Sequence, residues 1–136
     1  MYLLDTNVVS ELRRPAKAAA KVRDWAAGAP GGSFHLSVVT ILEIQTGILL
    51  VGRRDEAQAR SLQAWLDDDL LLQFDGRILA IDTDVARRCA ALHVPDKRPE
   101  RDALIAATAL VHGLTVVTRN VRDFEATGVK LLNPWG

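Results

Sequence analysis

Four acidic residues in this 136-residue chain stand where chemistry is usually placed. Asp5 closes the apolar run Tyr2-Leu3-Leu4, and Glu43, Asp102 and Asp123 each follow an apolar segment directly or across one turn. In an open α/β sheet, ligands bind in the crevice beyond the carboxyl ends of the strands. Acids delivered to that edge from separate segments would share one pocket. Several carboxylates within about 4–6 Å of one another do not all stay ionised without a cation. A hard divalent ion bound through oxygen, Mg²⁺ with Mn²⁺ as a substitute, removes the repulsion and supplies hydrolytic chemistry. Histidine and cysteine are too few, and not at the spacing, for a zinc site.

Taken singly, each acid also has a structural explanation. Asp5 suits the cap of the helix that follows. Asp102, in the first turn after Pro99, complements a helix dipole. Asp123 stands three residues after Asn120, the spacing of a capping box, and Glu43 fits the solvated side of its helix. Their shared placement behind apolar segments is what favours a common site. A rival pair, Asp82-Thr83-Asp84, follows the segment Ile78 to Ile81 and resembles the nucleophile loop of haloacid-dehalogenase-like phosphatases. That loop normally follows the first strand, however, and Ala86 fills the position where those enzymes carry Thr or Val, so Asp82 reads as a helix cap. His112 before Gly113 fits a helix C-terminus, and neither His35 nor His93 has a Ser or Cys partner arranged for nucleophilic attack. The lone cysteine, Cys89, reads as a core filler.

The elements that must position the acids follow from periodicity and punctuation. Strands are predicted at Tyr2 to Leu4, Ser33 to Ser37, Ile78 to Ile81, Leu114 to Val117 and Val129 to Leu132. Helices are predicted at Val8 to Arg14, stopped by Pro15, and over Ala16 to Ala27. Gly28-Ala29-Pro30-Gly31-Gly32 lacks both G-x-G-x-x-G and a Gly-Lys-Ser/Thr ending and reads as a turn. Ser37 caps a helix from Val38 to about Val51, on which Glu43 shares a narrow polar stripe with Thr40, Thr46 and Gly47. A second long helix reaches about Phe74, through the acidic step Asp67-Asp68-Asp69; the two together suggest a helical arm or partner surface. Asp84 to His93 is a helix and Pro95 to Pro99 a loop. Pro99 opens a helix over Glu100 to His112, which Gly113 ends, and a short helix is expected over Val121 to Thr127. Strands alternating with helices imply an α/β three-layer sandwich with a central, mostly parallel sheet of four or five strands.

The length suits one domain, residues 1 to 136, and hydrophobic residues at 49% agree with a real core. Lys+Arg and Asp+Glu number 17 each, so no global basic field exists and nucleic-acid binding must come from local patches. One cysteine permits no internal disulfide, and a reducing compartment is the simplest reading. No segment approaches the roughly 18 apolar residues of a membrane span, and no signal peptide is seen, so a cytoplasmic protein is expected.

Leu4-Asp5-Thr6-Asn7-Val8, Ser37-Val38-Val39-Thr40-Ile41-Leu42-Glu43, Asp102-Ala103-Leu104-Ile105-Ala106-Ala107-Thr108-Ala109 and Thr118-Arg119-Asn120-Val121-Arg122-Asp123-Phe124 closely resemble the motifs of PIN-domain ribonucleases. Within that superfamily the chain is similar to the toxin half of a VapBC or FitAB type toxin–antitoxin pair, and Asn133-Pro134-Trp135 is similar to the tail of that subgroup. The resemblance covers nearly the whole chain. It implies that Asp5, Glu43, Asp102 and Asp123 are the metal-binding and catalytic acids. It also implies that Thr6, Asn7, Thr118 and Asn120 orient carboxylates or water around the pocket. The implied activity is Mg²⁺-dependent hydrolysis of RNA phosphodiester bonds, with Arg13, Arg14, Lys97, Arg98, Arg101, Arg119 and Arg122 as candidate contacts to the RNA backbone. The implied partners are a cognate antitoxin protein and a second copy in a homodimer. The antitoxin would inhibit by placing an arginine among the carboxylates, with an amphipathic helix along the arm from Val38 to Phe74. Two other readings stay open: a non-catalytic acidic α/β signalling or binding module, and a metal-dependent phosphatase. A receiver-like module usually carries an adjacent acid pair after the first strand, whereas this chain has Asp5 alone.

Overall fold

Leu3 and Leu4 are neighbours in β1 (Tyr2–Leu4), yet they belong to different cores, because successive strand side chains point to opposite faces of a sheet. Val116 and Val117 in β4 (Thr115–Val117) divide in the same way. The computed structural model describes residues 1–136 and builds them around a five-stranded sheet in the order β3-β2-β1-β4-β5. The remaining strands are β2 (Phe34–Ser37), β3 (Ile78–Leu79) and β5 (Leu131–Leu132), and every pairing is parallel. β1 is central, with Leu3 opposite His35 on one side and Val116 on the other. The carboxyl ends of β1, β2 and β4 therefore lie along one edge.

Helices cover both faces. On one side α1 (Thr6–Leu12), α2 (Ala20–Gly28), α3 (Val38–Gly52) and α4 (Glu56–Trp65) pack over Leu4, Leu36 and Val117, with Ile44, Ile48, Leu66, Leu70 and Phe74 filling the layer. On the other, α7 (Glu100–His112) lays Ile105, Ala106 and Ala109 over Leu3 and Val116. α6 (Thr83–Leu92) packs outside α7 through Val85 and Cys89 against Ala103 and Ala107. Small residues along α7 let it serve both neighbours. A fully buried side chain such as Leu3 contributes about 2 kcal/mol.

Local chemistry sets the boundaries. The Ser37 hydroxyl accepts the Val39 N–H at 3.0 Å and starts α3 where β2 ends. Gly113 ends α7 at φ +67°, a left-handed position that costs glycine little, and turns the chain into β4. Reciprocal amide bonds between Gln45 and Gln63, at 2.7 and 3.1 Å, tie α3 to α4.

The five parallel strands agree with the sequence expectation, and several local expectations differ. α1 begins at Thr6 rather than Val8, because Asp5 is itself the cap. The stretch expected as one helix over Ala16 to Ala27 is a 3-10 turn (Pro15–Lys17) followed by α2; Ala18 is extended, and the Ala19 N–H donates to Glu11 Oε2 at 2.7 Å, which supplies a start signal that local propensity hides. The second long helix does reach Phe74, but through a π turn (Leu66–Leu70) before the short α5 (Leu71–Gln73), which holds Leu66 and Leu70 inward while Asp67, Asp68 and Asp69 stay in solvent. The short helix expected over Val121 to Thr127 is two 3-10 turns on either side of Phe124, whose fully buried ring anchors the segment. β3 and β5 are also shorter than expected.

Candidate active site

Asp5 leaves the central strand with its backbone N–H bonded to Val117 O at 2.9 Å, so its carboxylate emerges between β1 and β4. It is 8% exposed and held from several directions. Oδ1 accepts the Thr6 N–H at 2.8 Å; Oδ2 accepts the Thr118 hydroxyl at 2.8 Å and Asn7 Nδ2 at 3.3 Å. Asp5 is thus both the cap of α1 and a fixed acid at the sheet edge. Burial pushes its carboxyl above the usual range; the bonds from Thr118 and Thr6 work against that, and Asp123 adds to it.

Thr118 is fully buried and also accepts the Asn120 N–H at 3.0 Å and Asn7 Nδ2 at 3.2 Å. Asn7 Oδ1 in turn accepts the Arg119 N–H at 3.2 Å, which ties the end of β4 to α1. Glu43, one turn into α3, is not on a solvated face: it is half-buried, and its Oε1 accepts the Thr6 hydroxyl at 3.0 Å. That hydroxyl also meets Thr40 Oγ1 at 3.2 Å, and Thr40 is fully buried. Thr40 and Glu43 therefore face α1, whereas Thr46 of the same stripe bonds Leu42 O at 2.7 Å and Gly47 is exposed; Thr40 belongs to the support of Glu43, a part the sequence suggested only by spacing.

Asp102 lies in the first turn of α7, half-buried. Burial pushes its carboxyl from 3.8 up to about 6, and the charges of Asp123, Asp5 and Glu43 push in the same direction. Asp102 is thus within electrostatic reach of the other three sequence-predicted acids, and Asp5 within reach of Asp123. Asp123 is exposed, and the capping box suggested by its spacing from Asn120 does not form: Asn120 makes no side-chain cap, and only the Asp123 N–H bonds Asn120 O at 3.0 Å. Its carboxylate is thereby left free toward Asp102. Of the four supporting residues named from the sequence, Thr6, Asn7 and Thr118 bond an acid directly; Asn120 acts through its backbone N–H.

Cations border the pocket. Arg101 Nη1 stands 3.9 Å from Glu43 Oε2. The Arg119 guanidinium lies over the Trp135 ring at 5.2 Å, which holds it beside the end of β4. Arg98 is not a free surface cation: it bonds Leu92 O at 2.7 Å and Ala126 O at 3.3 Å. The rival pair is accounted for, since Asp82 Oδ1 accepts the Val85 N–H at 2.9 Å as the cap of α6. His93 Nε2 is 3.8 Å from Cys89 Sγ, four residues back on α6, but burial and Glu100 push that thiol up, so the pair is not arranged for nucleophilic attack.

A donor set made wholly of carboxylate and hydroxyl oxygen, with one acid pushed up by burial and by its three neighbours, suits a hard divalent cation. Fold and pocket together define an all-parallel α/β sandwich with an acidic cleft at the carboxyl edge of its central strands. The PIN domain family matches residues 2–130, and the chain belongs to that family. It is 34% identical to the VapC ribonuclease Y4jK of Sinorhizobium fredii, over 99% of this chain and 98% of that one. It is 37% identical to toxin FitB of Neisseria gonorrhoeae, over 99% of each. Among solved structures, FitAcB from Neisseria gonorrhoeae matches with a TM-score of 0.90 at 35% identity, covering 99% of both chains.

Proposed function

We propose that this protein is a metal-dependent endoribonuclease, working with Mg²⁺ or with Mn²⁺ in its place, and the toxin of a cytoplasmic toxin–antitoxin pair. The observation that carries the reading is the convergence of Asp5, Glu43 and Asp123 on Asp102, whose carboxyl is pushed up to about 6 by burial first and by those three charges in addition. Those four acids would hold the ion. When bound, it supplies positive charge beside the scissile phosphate and makes water a better nucleophile.

The protein's own share is orientation. Thr118, Asn7 and the Thr6 N–H fix both oxygens of Asp5, while the Thr6 hydroxyl aims Glu43. Arg119, braced on Trp135, and Arg122 beside it are placed to contact phosphates, so binding weakens as salt rises. The reading agrees with the ribonuclease and toxin named among the relatives.

A toxin of this kind needs a cognate antitoxin. Arg101 beside Glu43 indicates how a guanidinium meets these acids, and a partner's arginine would do so more deeply. Leu42, Leu49 and Leu50 are exposed on α3, next to an open hollow of about 430 Å³ between α3 and α4 that includes Ile48 and Ala59. An amphipathic helix, or the second copy in a homodimer, would cover such a surface.

The test is cleavage of a labelled, mixed cellular RNA pool with Mg²⁺, with Mn²⁺ and with EDTA, beside Asp5→Asn. Metal-dependent cutting that disappears in the variant is the expected result. Equal traces from both proteins under every condition would exclude the nuclease and leave a binding module.

A further inference from the structure

Away from the acidic cleft, the C-terminal end of α6 meets the first turn of α7, and three side chains of unlike chemistry converge there. Cys89 Sγ is 3.8 Å from His93 Nε2 and 3.8 Å from Glu100 Oε1, and His93 Nε2 is 3.4 Å from Glu100 Oε2. Cys89 and His93 are one helical turn apart, so they share a face of α6. We propose that Cys89, His93 and Glu100 form a second, transition-metal site that takes Zn²⁺ or a similar ion with borderline-soft preferences, separate from the oxygen pocket.

Geometry carries the assignment. With Zn–S near 2.3 Å and Zn–N or Zn–O near 2.0–2.1 Å, a tetrahedral ion sets ligand-to-ligand edges of about 3.3–3.6 Å. The Cys89–His93 edge is 3.8 Å, Glu100 presents Oε1 to the thiol at 3.8 Å and Oε2 to His93 at 3.4 Å, and with a single carboxylate oxygen as ligand all three donor atoms lie within 4.8 Å of one another, a spread that a rotation of the Glu100 carboxylate closes. Sulfur and imidazole nitrogen select against Mg²⁺, so the two sites sort ions by donor type. Cys89 is almost wholly buried whereas Glu100 is exposed, so the ion would sit at the surface with its fourth position open to water.

Two rival readings of the trio are weaker. A Cys–His nucleophile needs a thiol pushed down, whereas burial and the neighbouring Glu100 push the Cys89 thiol up. A plain hydrogen-bonded cluster fits the metal-free state: His93 Nδ1 accepts the Arg98 N–H at 3.0 Å, so Nε2 carries the proton and faces Glu100. Coordination through Nε2 moves that proton to Nδ1 and breaks the Arg98 bond, and the Cys89 thiol proton leaves to solvent. One such hydrogen bond is worth at most about tenfold in an equilibrium, which is small beside metal coordination. The sequence argues against zinc on the number and spacing of its histidines and cysteines; Cys89 and His93, one helical turn apart on α6, qualify that expectation, and Glu100 was not legible because the loop through Pro95 and Pro99 returns it to the site.

The site stands or falls independently of RNA cleavage. Metal-stripped protein in saturating Mg²⁺, which occupies the acidic cleft, is titrated with Co²⁺ and followed in the near ultraviolet. Cys89 is the lone cysteine, so a thiolate-to-cobalt charge-transfer band reports on it alone. The expected result is a band that saturates at one Co²⁺ per chain, bleaches with Zn²⁺, is absent in Cys89→Ser, and needs about tenfold or more Co²⁺ in His93→Gln and in Glu100→Gln. Hydrogen exchange at the Arg98 amide should quicken on binding. No band, or a band of unchanged affinity in both His93→Gln and Glu100→Gln, overturns the proposal. Those two partly exposed positions keep the test decisive if Cys89→Ser fails to fold.

Discussion

Replacing Asp102 with Asn should make the metal-free protein more stable while removing its activity. The Asp102 carboxyl ionises at about 6 in the folded protein, against an ordinary value of 3.8. A raised acid contributes stability that is complete below the unfolded value and is lost as pH rises through the folded one. At neutral pH the ionised Asp102 therefore strains the fold. At about 1.4 kcal/mol per pH unit the ceiling is about 3 kcal/mol, but Asp102 is only half-buried, and solvent screening reduces the figure to about 1 kcal/mol. For a chain of this size that is about 3 °C in Tm. The assay is thermal unfolding by circular dichroism in EDTA, from pH 4 to pH 8. Asp102→Asn should melt above wild type at pH 7.5, match it near pH 4, and show a flatter loss between. Added Mg²⁺ should raise wild type more than the variant, because binding to the folded state alone stabilises it. If Asp102→Asn melts at or below wild type in EDTA at pH 7.5, with an unchanged pH slope, neither burial nor the three neighbouring acids hold Asp102 up, and the crowded pocket that calls for a cation is refuted.

Thr118→Val keeps the shape but removes the 2.8 Å bond to Asp5, raising an acid already held up by burial; the acid limb of the activity profile should move to higher pH, with activity at neutral pH falling about tenfold. Arg101→Gln removes the cation 3.9 Å from Glu43, so a Mg²⁺ titration of activity should reach its midpoint at about two- to threefold less metal, with Tm unchanged because exposed pairs contribute little. Ser37→Ala deletes the cap of α3 at a fully buried position and should cost about 1 kcal/mol in urea unfolding, without shifting that metal midpoint.

Much of the frame was legible because local rules and tertiary demands agree there. Ser37 at the start of α3, Gly113 after α7 and the apolar pairs Leu3-Leu4 and Val116-Val117 each act within a few residues of themselves. The misplaced boundaries are those set from a distance. α2 starts where Glu11 reaches Ala19, and residues 121–127 form two turns because Phe124 is drawn into the core. The candidate acids were found as types and positions, but spacing also offered caps to Asp5 and Asp123. Only the structure distinguishes them: Asp5 caps and is fixed, whereas Asp123 does not cap through its side chain and stays exposed.

The sequence by itself determined the α/β alternation, the placement of the acids after apolar segments and the family to which the motifs belong. Tertiary structure alone decided that β1 lies centrally in the order β3-β2-β1-β4-β5, because strand order depends on which crossovers bury the most surface, a sum over the whole chain. It also decided what the side chains of that edge are chemically. Thr118 reaches Asp5 across 113 residues and Thr6 reaches Glu43 across 37, and Asp102 is raised by burial and by charges from three other segments. Ionisation and orientation are properties of the assembled environment, so no reading of one segment contains them.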